Sequence, residues 1–304
     1  MRIGIDIGGT KIEAVALDQT GRELVRQRTA TPVGDYPGTV RTVTELVIGI
    51  EAELDRRASV GVGIPGSISP ASGLVKNANS VWLIGRPFDR DLSEALGRPV
   101  RLANDANCLA LSEAVDGAAV GTDVVFSAIL GTGVGGGIVV NGKVLTGREA
   151  IAGEWGHNPL PWPRDEERPG FKCFCGLSGC IETFLSGPGF ARDHQAHSGH
   201  RLEPAEIVQL ADANDAQAKA AMKRYEDRLA RALATVINFL DPDVIVLGGG
   251  MSNVGRLYRN VPRIWTRYVF SDRVDTPLVP PRHGDSSGVR GAAWLWSPEE
   301  NPNR

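Results

Sequence analysis

The chain has 304 residues, 42% hydrophobic and 23% charged, enough for two globular domains with their own cores. A net charge of −3 excludes a chain-wide polyanion binder, so any phosphate site must be local. No charged-then-apolar leader opens the chain, no apolar run nears the roughly 18 residues of a membrane span, and four cysteines make no disulfide framework; a cytoplasmic protein without membrane partners is expected.

Arg2–Ile7 reads as a short apolar strand, residues 12–17 as a second closed by Asp18-Gln19-Thr20-Gly21, and residues 24–29 as a third. Gly8 and Gly9 thus sit in a strand–turn–strand hairpin. A dinucleotide fingerprint needs strand–turn–helix, so that function is rejected here. Residues 37–57 carry Val40, Val43, Leu46, Val47, Ile50 and Leu54 at helical spacing. Residues 60–64 form a strand running into Pro65-Gly66 and a polar loop. A strand ending at 101–103 leads into a helix over 105–114, and this alternation argues an α/β domain.

Val124–Leu130, the glycine run to Gly137 and the apolar run after it repeat strand, glycine turn, strand about 120 residues on, a weak internal repeat. Ala216–Leu240 reads as a long helix, followed by a buried strand over 244–247 and Gly248-Gly249-Gly250. A last helix opens near Ser287 and carries Val289, Ala292, Ala293, Leu295 and Trp296. The tail from Ser297 is expected to fray. The expected division is an N-terminal α/β domain over 1–118, completed by the helix at 287–304, and a C-terminal α/β domain over 119–286.

Three apolar strands run into glycine turns: Asp6 to Lys11, Leu130 to Gly137 and Leu247 to Met251. Glycine lets backbone N–H groups approach phosphate oxygens, and Thr10 and Thr132 add hydroxyl donors. Asp6 heads the first turn, placed to hold a hydrated Mg²⁺. One such turn is best read as a plain hairpin; three in this order weigh toward phosphate binding.

Three of the four cysteines fall within Cys173 to Cys180. Cys173 and Cys175 are too close for an unstrained disulfide, and no general base stands at a recognisable spacing for a catalytic thiol. Zinc would need a fourth ligand, for which Cys108 and His157 are the candidates. Cys108 by itself reads as a small buried residue on a helix. His194, His197 and His200 recur in a polar stretch broken by Ser198-Gly199 and read as solvated surface, as does the charge run over 165–168.

In chain order, DIGGTK, GIPGSI, NDAN, GTGVGGG, EWGH, CFCGLSGCIE and VIVLGGG resemble the motifs of the ROK family of sugar kinases and sugar-responsive repressors, from Gly4 to Trp296. GIPGSISPASGLVKNANSVW, RLANDANCLALSEAVDGAA and HGDSSGVRGAAWLW resemble its bacterial fructokinase, or manno(fructo)kinase, branch. The resemblance implies a two-domain actin–hexokinase-like (ribonuclease H-like) α/β fold with a cleft between the domains, and a homodimer. It implies an ATP- and Mg²⁺-dependent kinase phosphorylating D-fructose at O6, with mannose or glucose as secondary substrates. The alternative is a glucokinase or an N-acetylhexosamine kinase. A sugar-sensing repressor is disfavoured, since a strand starting at Arg2 leaves no room for a preceding helix-turn-helix, and no nucleic-acid partner is expected.

The same resemblance assigns residues. Asp6, Gly8, Gly9, Thr10 and Lys11 correspond to a first phosphate loop, Thr132 and Gly133 to a second, and Gly248, Gly249 and Gly250 to the adenosine side. Lys11 either reaches a phosphate or is solvated. Asp105 corresponds to the catalytic base, where the residues alone would favour a helix cap. Gly66, Asn79, Asn104, Asp105, Glu154, His157 and Glu182 correspond to the sugar site. His157, Cys173, Cys175 and Cys180 correspond to a structural zinc site. The spacer from His157 to Cys173 is longer than is usual in the family, as in the fructokinase branch.

Overall fold

In the computed structural model, which describes residues 1–297, the first apolar run forms β1 (Arg2–Ile7). β1 pairs antiparallel with β2 (Lys11–Leu17), bringing Ile7 opposite Ile12, and β2 pairs with β3 (Glu23–Ala30). Helix α1 (Tyr36–Glu53) starts where the Asp35 side chain accepts the Gly38 amide, and it buries Val43, Val47 and Ile50. It stops short of residue 57 because Asp55 adopts a φ of +45°, which a right-handed helix cannot include. β4 (Ser59–Ile64) pairs parallel with β1, as a crossover through a helix requires. A small hairpin of β5 (Ser67–Ile68) and β6 (Val75–Lys76) follows. Next come α2 (Phe88–Leu96), β7 (Val100–Asn104), parallel to β4, and α3 (Asp105–Asp116). The first sheet has the order β3-β2-β1-β4-β7.

Its core holds Ile3, Ile5, Val47, Ile50, Val60 and Val62 at full burial, joined by Phe88 and Leu92 of α2. Each such side chain contributes about 2 kcal/mol on leaving water. α2 was not expected from the sequence; it is amphipathic and ends at Gly97 in the left-handed conformation. The last helix, α9 (Ser287–Trp294), packs on this sheet so closely that a Cβ at Gly61 would lie 1.9 Å from the Ala292 carbonyl oxygen.

β8 (Val124–Leu130), β9 (Val134–Val140) and β10 (Lys143–Val144) begin the second sheet. α4 (Glu182–Leu185), α5 (Gly187–Ser198), α6 (Pro204–Asp212) and α7 (Ala216–Leu240) follow. β11 (Val244–Gly248) pairs parallel with β8, α8 (Gly255–Trp265) packs on α7, and β12 (Leu278–Val279) pairs parallel with β11. The order β10-β9-β8-β11-β12 reproduces the pattern of the first sheet strand for strand, which gives the weak sequence repeat a structural meaning. α7 spans the expected range, capped by the Asp215 side chain on the Ala218 amide and ended by Asp241 at φ +48°.

The chain forms two compact units. One comprises Met1–Gly121, Gly137–Ala152 and the segment from Arg282; the other comprises Thr122–Gly136 and Gly153–Pro281. The sequence reading kept 119–286 together. Gly137–Ala152 instead joins the first unit, since a Cβ at Gly137 would lie 2.2 Å from the Ala106 carbonyl of α3, and Ser67 Oγ donates to Ala150 at 3.1 Å. Of the C-terminal segment 287–304, residues 298–304, including most of the tail expected to fray, lie outside the described residues. Among the described residues no helix is long and apolar enough to cross a membrane.

Candidate active site

In the first unit, Asp6 lies near the end of β1, and the Gly8-Gly9-Thr10 turn follows it. The Gly8 amide is used within the hairpin, donating to the Lys11 carbonyl at 2.9 Å, while Gly9 and Thr10 are exposed. Lys11 Nζ pairs with Glu13 Oε2 at 3.6 Å, and its side chain is 53% exposed. Burial first, and then the charge of Asp105, push the Asp6 carboxyl up to about 7. A buried carboxylate in that position would gain from a cation beside it.

Asn104 ends β7 and caps α3. Its Oδ1 accepts the Ala106 amide at 2.9 Å, and its Nδ2 donates to the Gly66 carbonyl at 3.3 Å. The residue weighed as the cap, Asp105, is instead the first helical residue; its Oδ1 shares the same Ala106 amide at 2.8 Å. Gly66 has φ +94°, and a Cβ there would lie 2.4 Å from the Lys76 carbonyl, so only glycine fits. Asn79 is exposed just beyond Ala78, which packs at Gly66. The fold therefore gathers Gly66, Asn104 and Asp105, with Asp6 in electrostatic reach and Asn79 at the margin. Cys108, one turn into α3, is fully buried, as expected.

In the second unit, the Gly131-Thr132-Gly133 turn closes on itself through the Gly131 amide and the Gly133 carbonyl, 3.0 Å apart. The Gly131 carbonyl accepts the Gly187 amide at 2.8 Å. Gly249, at φ +76°, leaves 2.6 Å between a Cβ position and the Leu130 carbonyl, which again requires glycine. Gly248 is buried in β11 and Gly250 is exposed. Gly131, Thr132, Gly187 and Gly250 line a cavity of about 1010 Å³ with Ala191 and Met251. Of the residues the sequence points to for a nucleotide here, Thr132 and Gly250 line this cavity and Gly133, Gly248 and Gly249 do not; the start of α5 lines it without having been anticipated. The signal was present in Ser186-Gly187-Pro188, an N-cap serine with proline in the first turn; Ser186 Oγ accepts the Gly189 amide at 3.1 Å.

His157 ends a short 3-10 turn over Trp155–His157, with Glu154 just before it. Trp155 anchors that turn by donating to the Gly135 carbonyl at 2.8 Å and packing edge-on against Phe126. Backbone bonds from Leu160 to Gly179 and from Ile181 to Asn158 set the His157 and Cys180 segments side by side. One nitrogen of His157 and the sulfurs of Cys173, Cys175 and Cys180 all lie within 4.8 Å of one another. Cys173 Sγ is 3.5 Å from His157 Nδ1, and Cys175 Sγ is 3.6 Å from Cys180 Sγ. Three sulfurs and an imidazole nitrogen at this spacing fit a closed tetrahedral zinc site. The other candidate ligand, Cys108, belongs to the first unit and is not in the cluster.

Two surface readings are corrected. Glu167, in the charge run expected to be a solvated loop, is buried and bound by Arg228 and Arg231 at 2.7 and 2.8 Å. Asp165, Glu166 and Arg168 are exposed as expected; Glu167 alone is turned inward, because both arginines lie on the buried face of α7. His194 is likewise buried, since it lies on the inner side of α5, with Nδ1 3.2 Å from Ser198 Oγ. The expected break at Ser198-Gly199 is the end of that helix, and His197 and His200 are exposed.

Two sheets of one repeated pattern, each carrying a glycine turn, define the actin–hexokinase class of α/β proteins. The chain belongs to the ROK family, whose profile matches residues 2–299. It is 42% identical over 299 residues to an N-acetyl-D-glucosamine kinase of Salmonella gallinarum, covering 97% of this chain and 99% of that protein. It is similar to the ROK hexokinase of Thermus thermophilus, at 33% identity, a TM-score of 0.85 and 96% of each chain. It is also similar to a ROK family glucokinase of Streptomyces griseus solved with glucose and AMPPNP, at 29% identity, a TM-score of 0.79 and 97% and 98% of the two chains. The fructokinase branch finds no support among these relatives; the first of them carries the activity that stood as the alternative.

Proposed function

We propose that the chain is an ATP-dependent kinase that phosphorylates N-acetyl-D-glucosamine on its primary 6-hydroxyl. The observation that carries this reading is the 42% identity, over nearly the full length of both chains, to an N-acetyl-D-glucosamine kinase. The fructose reading drawn from the sequence is set below it. Glucose is the second reading, favoured by the likeness to the glucose-bound Streptomyces griseus enzyme.

In this reading Asp105 accepts the proton of the attacking hydroxyl, which phosphoryl transfer requires as the acceptor closes on the γ-phosphate. Asn104, fixed by its bonds to Ala106 and Gly66, and the nearby Asn79 orient the sugar in the first unit. Glu154, His157 and Glu182 remain assigned to sugar hydroxyls by family resemblance. The cavity beside Gly131–Gly133 and Gly249–Gly250 takes the nucleotide, with the turn amides toward its phosphates. Asp6 would hold the Mg²⁺ that travels with ATP, through water; when bound, the ion neutralises charge on the phosphates. Zinc at His157, Cys173, Cys175 and Cys180 would be structural. ATP as co-substrate agrees with a cytoplasmic location, and a homodimer is the expected assembly.

The test is ADP release across N-acetylglucosamine, glucose, fructose, mannose and N-acetylmannosamine. The expected result is the highest kcat/KM with N-acetylglucosamine. A best rate with fructose would restore the fructokinase assignment, and ADP release with none of the five would remove the kinase reading.

A further inference from the structure

Glu182 opens α4, two residues after Cys180, and was expected to touch the sugar. The fold gives its carboxylate two other neighbours. Oε2 accepts the Val134 amide at 2.9 Å, and Oε1 takes a long contact from the Cys173 thiol at 3.8 Å. Val134 is the first residue of β9 and directly follows the Gly131-Thr132-Gly133 turn, which borders the large cavity. Gly133 completes the fit. A Cβ there would lie 2.8 Å from Oε2, so any larger residue would push the carboxylate away from the Val134 amide. On the other side the link is the short segment from Cys180, a buried thiol of the cluster, to Glu182; the Cys173 contact belongs to its thiol form, since a metal-bound thiolate has no proton to donate. Glu182 is thus a side-chain link between the end of the turn and the Cys₃His segment, beside the Trp155 bond to Gly135, and a hydrogen bond to a charged acceptor is among the stronger ones available.

We propose that Glu182 is a positioning residue that ties the Gly131–Gly133 turn to the Cys₃His cluster, so that an intact cluster raises nucleotide affinity and not sugar affinity alone. The nature of the ligand rests on the kinase reading; the link itself does not depend on turnover.

The experiment measures binding of a fluorescent ADP analogue to the full chain without sugar, with metal content determined alongside. Glu182→Ala is expected to weaken binding about tenfold, the cost of losing a charge-assisted bond to the turn. Stripping metal from the wild type with a chelator is expected to weaken it comparably. The same chelation does nothing further to Glu182→Ala, because the link is already cut and the two effects are not additive. Glu182→Gln keeps an acceptor for the Val134 amide and recovers most of the affinity. If Glu182→Ala fails to fold by circular dichroism, the glutamine variant and wild-type chelation carry the test. Unchanged nucleotide affinity in Glu182→Ala, or chelation effects that add in full, would overturn the proposal. A wild type that binds the analogue tightly but phosphorylates no sugar would sink the kinase reading and leave the Glu182 link standing.

Discussion

Asp105 carries the heaviest chemical assignment, and its surroundings bear on it. Asn104 takes the capping role through Ala106, so Asp105 is not needed to start the helix and its carboxylate sits at the positive end of α3. Replacing it with asparagine keeps size and hydrogen bonding but removes the base. The expected outcome is a fall in kcat of about 10²–10⁴-fold with sugar binding retained, read by steady-state kinetics and by calorimetric sugar titration. A variant with unchanged kcat would remove Asp105 from the chemistry. The motif Asn104-Asp105 was legible in the sequence, but not the division of labour within it, because either side chain can cap a helix and only the backbone angles of Asn104 decide.

At the level of elements, the long spacer between His157 and Cys173 is held by charge. Glu167 receives Arg228 and Arg231, and Asp193 of α5 receives Arg224 and Arg228. Burial raises both carboxyls, but hydrogen bonds from Arg231 and Arg228 to Glu167, and from Arg224 and Arg228 to Asp193, outweigh it and hold both below the usual range. The unfolded chain therefore takes up protons at a higher pH than the native state does. The stabilisation is complete above the ordinary carboxylate range near pH 4 and is lost as pH falls through the lower native values. Glu167→Gln removes the carboxylate that Arg228 and Arg231 share, leaving them only Asp193 and Asp227, and is expected to cost about 3 kcal/mol near neutrality. It should also flatten the loss of stability between pH 5 and 3, measured by urea unfolding across that range. Equal acid sensitivity in variant and wild type would show that the network does not set it. This network was not legible: the partners of Glu167 stand 61 and 64 residues away on α7, and a local reading of charge sees only solvent. α2 and α5 were missed for a related reason, since both are short and their apolar stripes are thin.

For the whole molecule, the paired sheet orders place one glycine turn after the first strand of each sheet. The proposed ligands should therefore stabilise the fold by mass action. A non-hydrolysable ATP analogue with Mg²⁺, at about 100 times its Kd, is expected to add about 2.7 kcal/mol, and N-acetylglucosamine should raise Tm more than fructose at equal concentration. A thermal melt reads both, and a larger shift with fructose would reverse the substrate order. By itself the sequence determined the glycine turns, the Cys173–Cys180 cluster, the long helix α7 and the membership that its ordered motifs announce. Those features are written in neighbouring residues, where spacing and turn chemistry act locally. Only the tertiary structure decided that Gly137–Ala152 packs with the first unit, that Glu167 and His194 are buried, and that Glu182 lies between the Cys₃His cluster and a glycine turn. These depend on which surfaces meet after the chain has folded, and a carboxylate with three possible partners chooses among them by geometry that no local pattern contains.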